Sequence, residues 1–271
     1  MACDFPVLLT LIDTFRFPCT TVLKRSSNLI GSNELRQRLV YVISAPMKVN
    51  IPHRPIHIAV FLLLSFLCYE AHQLTRHLVG AVLCGVFGSM TFTVTITKEP
   101  CLFPTVVILS GPLLTYGLAW TGMFLLRSSK YRLFAYALIF ASFAHLRFIQ
   151  NLTGRGDELV LAKQWFGISS RVTVALIVLL IGLPPVIAAY RVIANGRRTL
   201  VFICSWLVPL LVLFVLLIGN AILFGQNGDQ SLGVTLLGVP LIVLVIDLVA
   251  VIVFMRWGFP VLIPPEERVR L

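Results

Sequence analysis

The sequence predicts an all-α, multi-span membrane protein with about six transmembrane helices. Of its 271 residues, 58% are hydrophobic and 12% are charged, and the mean hydropathy is +0.94. Apolar runs of roughly 20 residues, long enough to cross a bilayer as a helix, recur along the chain. A soluble surface is typically about a quarter to a third charged, which this composition cannot supply without large exposed apolar patches. Secreted disulfide scaffolds, disordered tails and nucleic-acid binders are therefore excluded. The net charge of +11 is read as the cation excess of cytoplasmic loops, and the expected surroundings are a lipid bilayer.

The runs lie at about 56–86, 104–126, 131–150, 172–193, 200–224 and 232–255. With six spans, several basic groups fall on one side: Lys48 and Arg54; Arg127, Lys130 and Arg132; Arg191, Arg197 and Arg198; and Arg256, Arg268 and Arg270. The segment from Gln226 to Gln230 carries no cation. This asymmetry predicts a multi-pass protein of the cell membrane with both termini cytoplasmic. Segment 147–171 runs against the rule, because Arg147, Arg155, Lys163 and Arg171 fall outside, and Asp157 and Glu158 offset little. Trp165, Phe166, Trp206 and Trp257 lie near span ends, where an aromatic belt places them. Pro184, Pro185, Pro209 and Pro240 are expected to kink their spans.

Residues 1–46 have mixed polarity and no helical period, and they read as an N-terminal appendage. Met47 is one candidate natural start; a targeting or amphipathic segment rich in Arg and Lys is the other reading. Among the cysteines no C-x-x-C pair occurs, and Cys68, Cys84 and Cys204 sit in apolar runs, where a thiol serves as a small hydrophobe. No internal repeat of the transporter kind is visible.

The first span is interrupted by Glu70, His72, Gln73, Thr75, Arg76 and His77. An ionisable group at membrane depth costs about 2.5–3.5 kcal/mol on insertion scales, so the cluster needs protein partners, water or a metal. At 100° per residue His72 and Arg76 share one face with Gln73 beside them, and Glu70 and His77 share another. Only an extra residue inserted as a π-bulge would align the two histidines. Two plainer readings stand beside a functional one. Glu70 pairs with Arg76 or His77 to fix helix packing, or the span ends near Tyr69 and leaves the polar residues at the interface.

The frame from Glu70 to Gly80 resembles a degenerate form of the H-E-x-x-H helix of site-2 proteases, the intramembrane zinc metalloproteases. His72 matches the first histidine; Gln73 stands at the catalytic glutamate and Arg76 at the second histidine, with His77 one place beyond. The resemblance continues in Gly88–Thr97, whose alternating β-branched residues match the family's short membrane-associated β segment. Gly111-Pro112 matches its second-span motif, with Thr115 where asparagine is common, and Asn151 to Glu158 matches its third-span aspartate motif. It covers roughly 56–160, and implies a three-span core over 47–160 followed by three further transmembrane helices over 161–271. The implied activity is metalloendopeptidase-like, with altered or lost chemistry. Zinc is the implied cofactor, and the implied substrate is a single-span membrane protein.

The available zinc donors are His72, His77, His145 and Asp157, and zinc hydrolysis needs three of them plus an open position. The catalytic candidates are Glu70 and Gln73. A glutamine cannot take the proton of a metal-bound water, and Glu70 lies about 200° from His72 on a regular helix. A non-enzymatic protein is the alternative, either a membrane scaffold or a transporter moving protons through Glu70, His72, His77 and Asp247. Asp247, in mid-span, needs a partner such as Asn220 or a proton. Five histidines are too few for a diiron desaturase, and a rhomboid-like pair would have to join Ser110 to His145. Asn151-Leu152-Thr153 also fits a glycosylation acceptor pattern.

Overall fold

The computed structural model describes residues 48–93, 95–96, 101, 103–224 and 235–263, all within the compact unit Met47–Leu271. The appendage 1–46, the Gln226–Gln230 segment, Arg268 and Arg270 lie outside the described residues. The protein is an all-α, multi-span membrane protein. Among the described residues, six helical segments are long and apolar enough to cross a bilayer.

Helix α1, Pro55–Cys84, opens on a proline at its first turn, where the missing N–H costs nothing. It runs unbroken through the polar cluster and stops at Gly85, whose φ of 72° is the left-handed cap that glycine adopts without strain. The span therefore does not end near Tyr69, and no π-bulge brings His72 to His77. A two-residue hairpin follows, β1 (Ser89–Met90) pairing antiparallel with β2 (Thr95–Ile96); Val94 and Thr97 of the expected β segment lie outside the described residues. Helix α2, Pro104–Leu125, forms the second span.

The third span is broken. Helix α3 (Arg132–Ala141) gives way at Phe143, whose φ is 63°, to a single 3-10 turn at Ala144–Leu146 and then to α4, Arg147–Leu152. A positive φ on a bulky residue is a strained conformation held by surrounding packing. Phe143 is buried with Met90, Leu146 and Val212. After the break, Gly154 and Gly156 lead into α5, Asp157–Phe166, a helix that the apolar runs did not indicate. The boundary expected at 160 falls inside it.

Helices α6 (Arg171–Val192) and α7 (Arg198–Phe224) are the fourth and fifth spans. Residues 235–240 form a second hairpin, β3 (Thr235–Leu236) with β4 (Val239–Pro240). The sixth span therefore begins with α8, Leu241–Val253, rather than at 232. It continues through a wide π turn, Phe254–Gly258, into α9, Phe259–Val261. Pro240 caps this span instead of kinking it, whereas Pro112, Pro184, Pro185 and Pro209 lie inside helices.

Both ends of the bundle are tied. At one end Val49 bridges to Val192 and Ala194 through backbone bonds of 2.7 and 2.9 Å, and Asn195 exchanges two hydrogen bonds with the Ile51 backbone. This end collects Lys48, Arg54, Arg132, Arg197 and Arg198. At the other end the two hairpins dock, Met90 N–H donating to the Gly238 carbonyl at 3.0 Å. Here Cys84 and Cys101 form a disulfide, so Cys84 is a crosslink and not a packing thiol.

Candidate functional site

Four segments bring eight polar side chains together. Helix α1 supplies His72 and Arg76, one turn apart on one face. Helix α2 supplies Thr115 and Tyr116, α4 supplies Arg147 and Asn151 one turn apart, and the first turn of α5 supplies Asp157 and Glu158. Two acids at a helix N-terminus are favoured by the unpaired N–H groups there. The break in the third span sets α4 off from α3, and Arg147 is its first residue.

Asp157 is the hub. Its Oδ2 accepts from Arg147 Nη1 at 3.0 Å, its Oδ1 from Arg76 Nη1 at 3.4 Å, and His72 Nε2 stands 3.8 Å from Oδ2. Arg147 Nη2 lies 2.9 Å from both ring nitrogens of His72, whose Nδ1 is also 3.0 Å from Thr115 Oγ1. Glu158 accepts from Tyr116 at 2.8 Å and from Asn151 Nδ2 at 2.9 Å. Arg147, only 7% exposed, thus contacts both the imidazole and Asp157. Two guanidiniums facing two carboxylates balance the charge of the cluster, which is how buried ions are tolerated.

Two glycines make the approach possible. A Cβ on Gly111 would lie 2.4 Å from His72 Cε1, and one on Gly156 would lie 2.2 Å from Asn151 Oδ1. Next to the cluster is a cavity of about 390 Å³, with Gln73, Ser142 and Gln150 among its polar walls and Phe143, Leu210 and Leu213 among its apolar ones. Gln73 borders it with its amide engaged, donating to Tyr69 at 3.2 Å and accepting from Thr95 at 2.9 Å.

Of the nominated zinc donors, the structure brings together His72 and Asp157 alone. His77 faces the second hairpin, with Nε2 2.9 Å from the Leu237 carbonyl. His145 packs on Phe140 and Trp206, with Nε2 3.2 Å from the Trp206 carbonyl. Nowhere among the described residues do three His, Cys, Asp or Glu side chains gather as a metal would require. Arg76 stands where the resemblance puts the second histidine, and a guanidinium has no lone pair to offer. The donor set does not fit zinc, since a tetrahedral catalytic site needs three protein ligands.

Glu70 is absent from the cluster. It is buried on the other face of α1, with neither carboxylate oxygen hydrogen-bonded and Asp247 within electrostatic reach. Asp247 Oδ1 and Asn220 Oδ1 also lack hydrogen-bond partners, so the expected bond between these residues does not form through either oxygen. Ser110 donates to the Val107 carbonyl and is not paired with His145. Asn151 is fully buried, which removes it as a glycosylation acceptor. Sequence reasoning missed Tyr116, which lies within the second apolar run, and Arg147, counted there as a loop cation. The available signal for Arg147 was its position one turn before Asn151, ahead of an Asp-Glu pair. Compared with family models, curated proteins and solved structures, the chain matches none.

Proposed function

We propose that this chain is an intramembrane-protease-like protein that does not hydrolyse peptides. In this reading it uses the cavity beside the cluster to hold a membrane-spanning segment of a partner protein. The supporting observation is Arg147, whose guanidinium lies 2.9 Å from His72 and 3.0 Å from Asp157. A fixed cation between those groups opposes a metal cation by charge and fills the space beside His72 and Asp157 that a metal would need. Gln73, already bonded on both sides of its amide, cannot serve as a general base. The mixed walls of the cavity suit a polypeptide, since apolar residues receive side chains and Gln73, Ser142 and Gln150 can meet polar groups.

Metal content and cleavage test the reading together. Gently purified protein should carry far less than one zinc per chain, and a reconstituted single-span substrate should remain intact. One zinc per chain, lost on His72→Ala, together with chelator-sensitive cleavage, would sink it. A photo-crosslinker at Gln150 should capture a co-reconstituted single-span segment, and no capture would remove the binding role.

The proposed setting is a cell membrane with the Lys48 end cytoplasmic. The cations gathered there support it through the positive-inside rule. The disulfide at the opposite end supports it too, because such bonds persist in oxidising compartments. A second reading, proton coupling, draws on Glu70 and Asp247, acids at membrane depth on facing helices of the kind that serve in proton relays. Acid-driven proton uptake into vesicles, abolished by Glu70→Gln, would favour that reading over the first.

A further inference from the structure

We infer that the basic end carries a binding site for one anionic phospholipid, separate from the cluster around Asp157. Between α1, α3 and α7 lies a cavity of about 360 Å³, within the range of sites that take small ligands. Its walls are apolar, with Phe61, Ala137, Leu200 and Val208 among them. Two of its polar side chains satisfy each other, Tyr136 donating to Ser205 at 2.8 Å, while the buried Nδ1 of His57 has no hydrogen-bond partner. From Leu200 to Val208 it follows about 12 Å of α7 at 1.5 Å per residue, along the direction in which a lipid chain lies.

At the rim the chemistry changes. Arg197 and His53 line the mouth, and Arg197 has no acidic partner among the described residues. Every described carboxylate belongs to Glu70, Asp157, Glu158 or Asp247, none of which borders this cavity. An apolar slot ending in a cation that has no acidic partner among the described residues is complementary to an acyl chain ending in a phosphate, and basic pockets between transmembrane helices select such headgroups. A polypeptide occupant is disfavoured, because most of its backbone N–H and C=O groups would meet apolar walls, with polar side chains such as His53, His57 and Arg197 too few to pair a peptide backbone.

Native mass spectrometry of the full chain in micelles tests the site, with phosphatidylglycerol titrated against phosphatidylcholine of the same acyl chains. One phosphatidylglycerol should be retained per chain at concentrations where phosphatidylcholine is not. Arg197→Ala should weaken that binding about fivefold, the worth of one basic residue near an anionic surface. Arg191→Ala, an exposed cation at the same end that does not line the cavity, should leave it unchanged. Cys204→Trp, which fills the slot from an exposed wall position, should abolish retention while the helical melting curve stays as in the parent. Equal retention of the two lipids overturns the site. So does equal weakening by Arg191→Ala and Arg197→Ala, or retained binding in folded Cys204→Trp. If Cys204→Trp does not fold, the two arginine variants decide.

Discussion

At Gly111 there is no room for a side chain, since a Cβ would press into the His72 ring and the Arg76 stem. Overpacking of this kind typically costs about 1–3 kcal/mol. Gly111→Val should lower the melting temperature in micelles, whereas Gly117→Ala on the same helix, where nothing lies within 4 Å, should not. Asp157 poses the complementary case. Asp157→Asn leaves Glu158, 3.9 Å from Arg147 Nε, as the one carboxylate facing two guanidiniums, and breaking a buried pair in this way costs about 3–5 kcal/mol. Removing both charges in Arg147→Met with Asp157→Leu should cost less than Asp157→Asn alone, as a thermal double-mutant cycle would read. A metal ligand would behave differently, because its loss would follow the zinc and not the arginine.

At the scale of elements, the spans were legible and their neighbours were not. Apolar run length placed the first five spans, and the 3.6 period separated His72 and Arg76 from Glu70 and His77 on α1. Periodicity gives the face a residue occupies but not what packs against it, so Arg147 reads as one more loop cation unless its spacing to Asn151 and the Asp-Glu pair is weighed. Once Arg147 is committed to Asp157 and His72, segment 147–171 loses part of its exception to the positive-inside rule. Helix α5 leaves no apolar run in the sequence, because an Asp-Glu start and Lys163 dilute its apolar face. Apolarity alone starts the sixth span at 232, because Leu236, Leu237 and Val239 are as apolar as a helix there would be, while Gly238, at φ 78°, makes the turn. Cys84 was hidden for a similar reason, lying in an apolar run while its partner lies 17 residues on. Closing a loop of about 15 residues contributes roughly 3 kcal/mol in the chain-entropy picture. Cys101→Ser should therefore lower the melting temperature, and reductant should have no further effect on that variant.

Across the whole molecule, charge is divided between the ends. The cation-rich end and the disulfide end are opposite, which predicts how they meet an impermeant thiol reagent in sealed cells. In a background lacking Cys3, Cys19 and Cys204, a cysteine at Ser169 should be labelled from outside and one at Gly196 only after permeabilisation. The reverse pattern would invert the proposed orientation. The contact between the two hairpins adds a constraint of another kind. Gly238 approaches Gly88 so closely that a Cβ would lie 1.8 Å from the Gly88 carbonyl, and the two segments are separated by most of the chain. Synthesis runs from the N-terminus, so Cys84, Cys101 and the first hairpin are made well before residues 235–240. The contact between the hairpins therefore forms only after residues 235–240 are made, and a chain truncated after α7 would leave the first hairpin without the backbone acceptor that receives Met90.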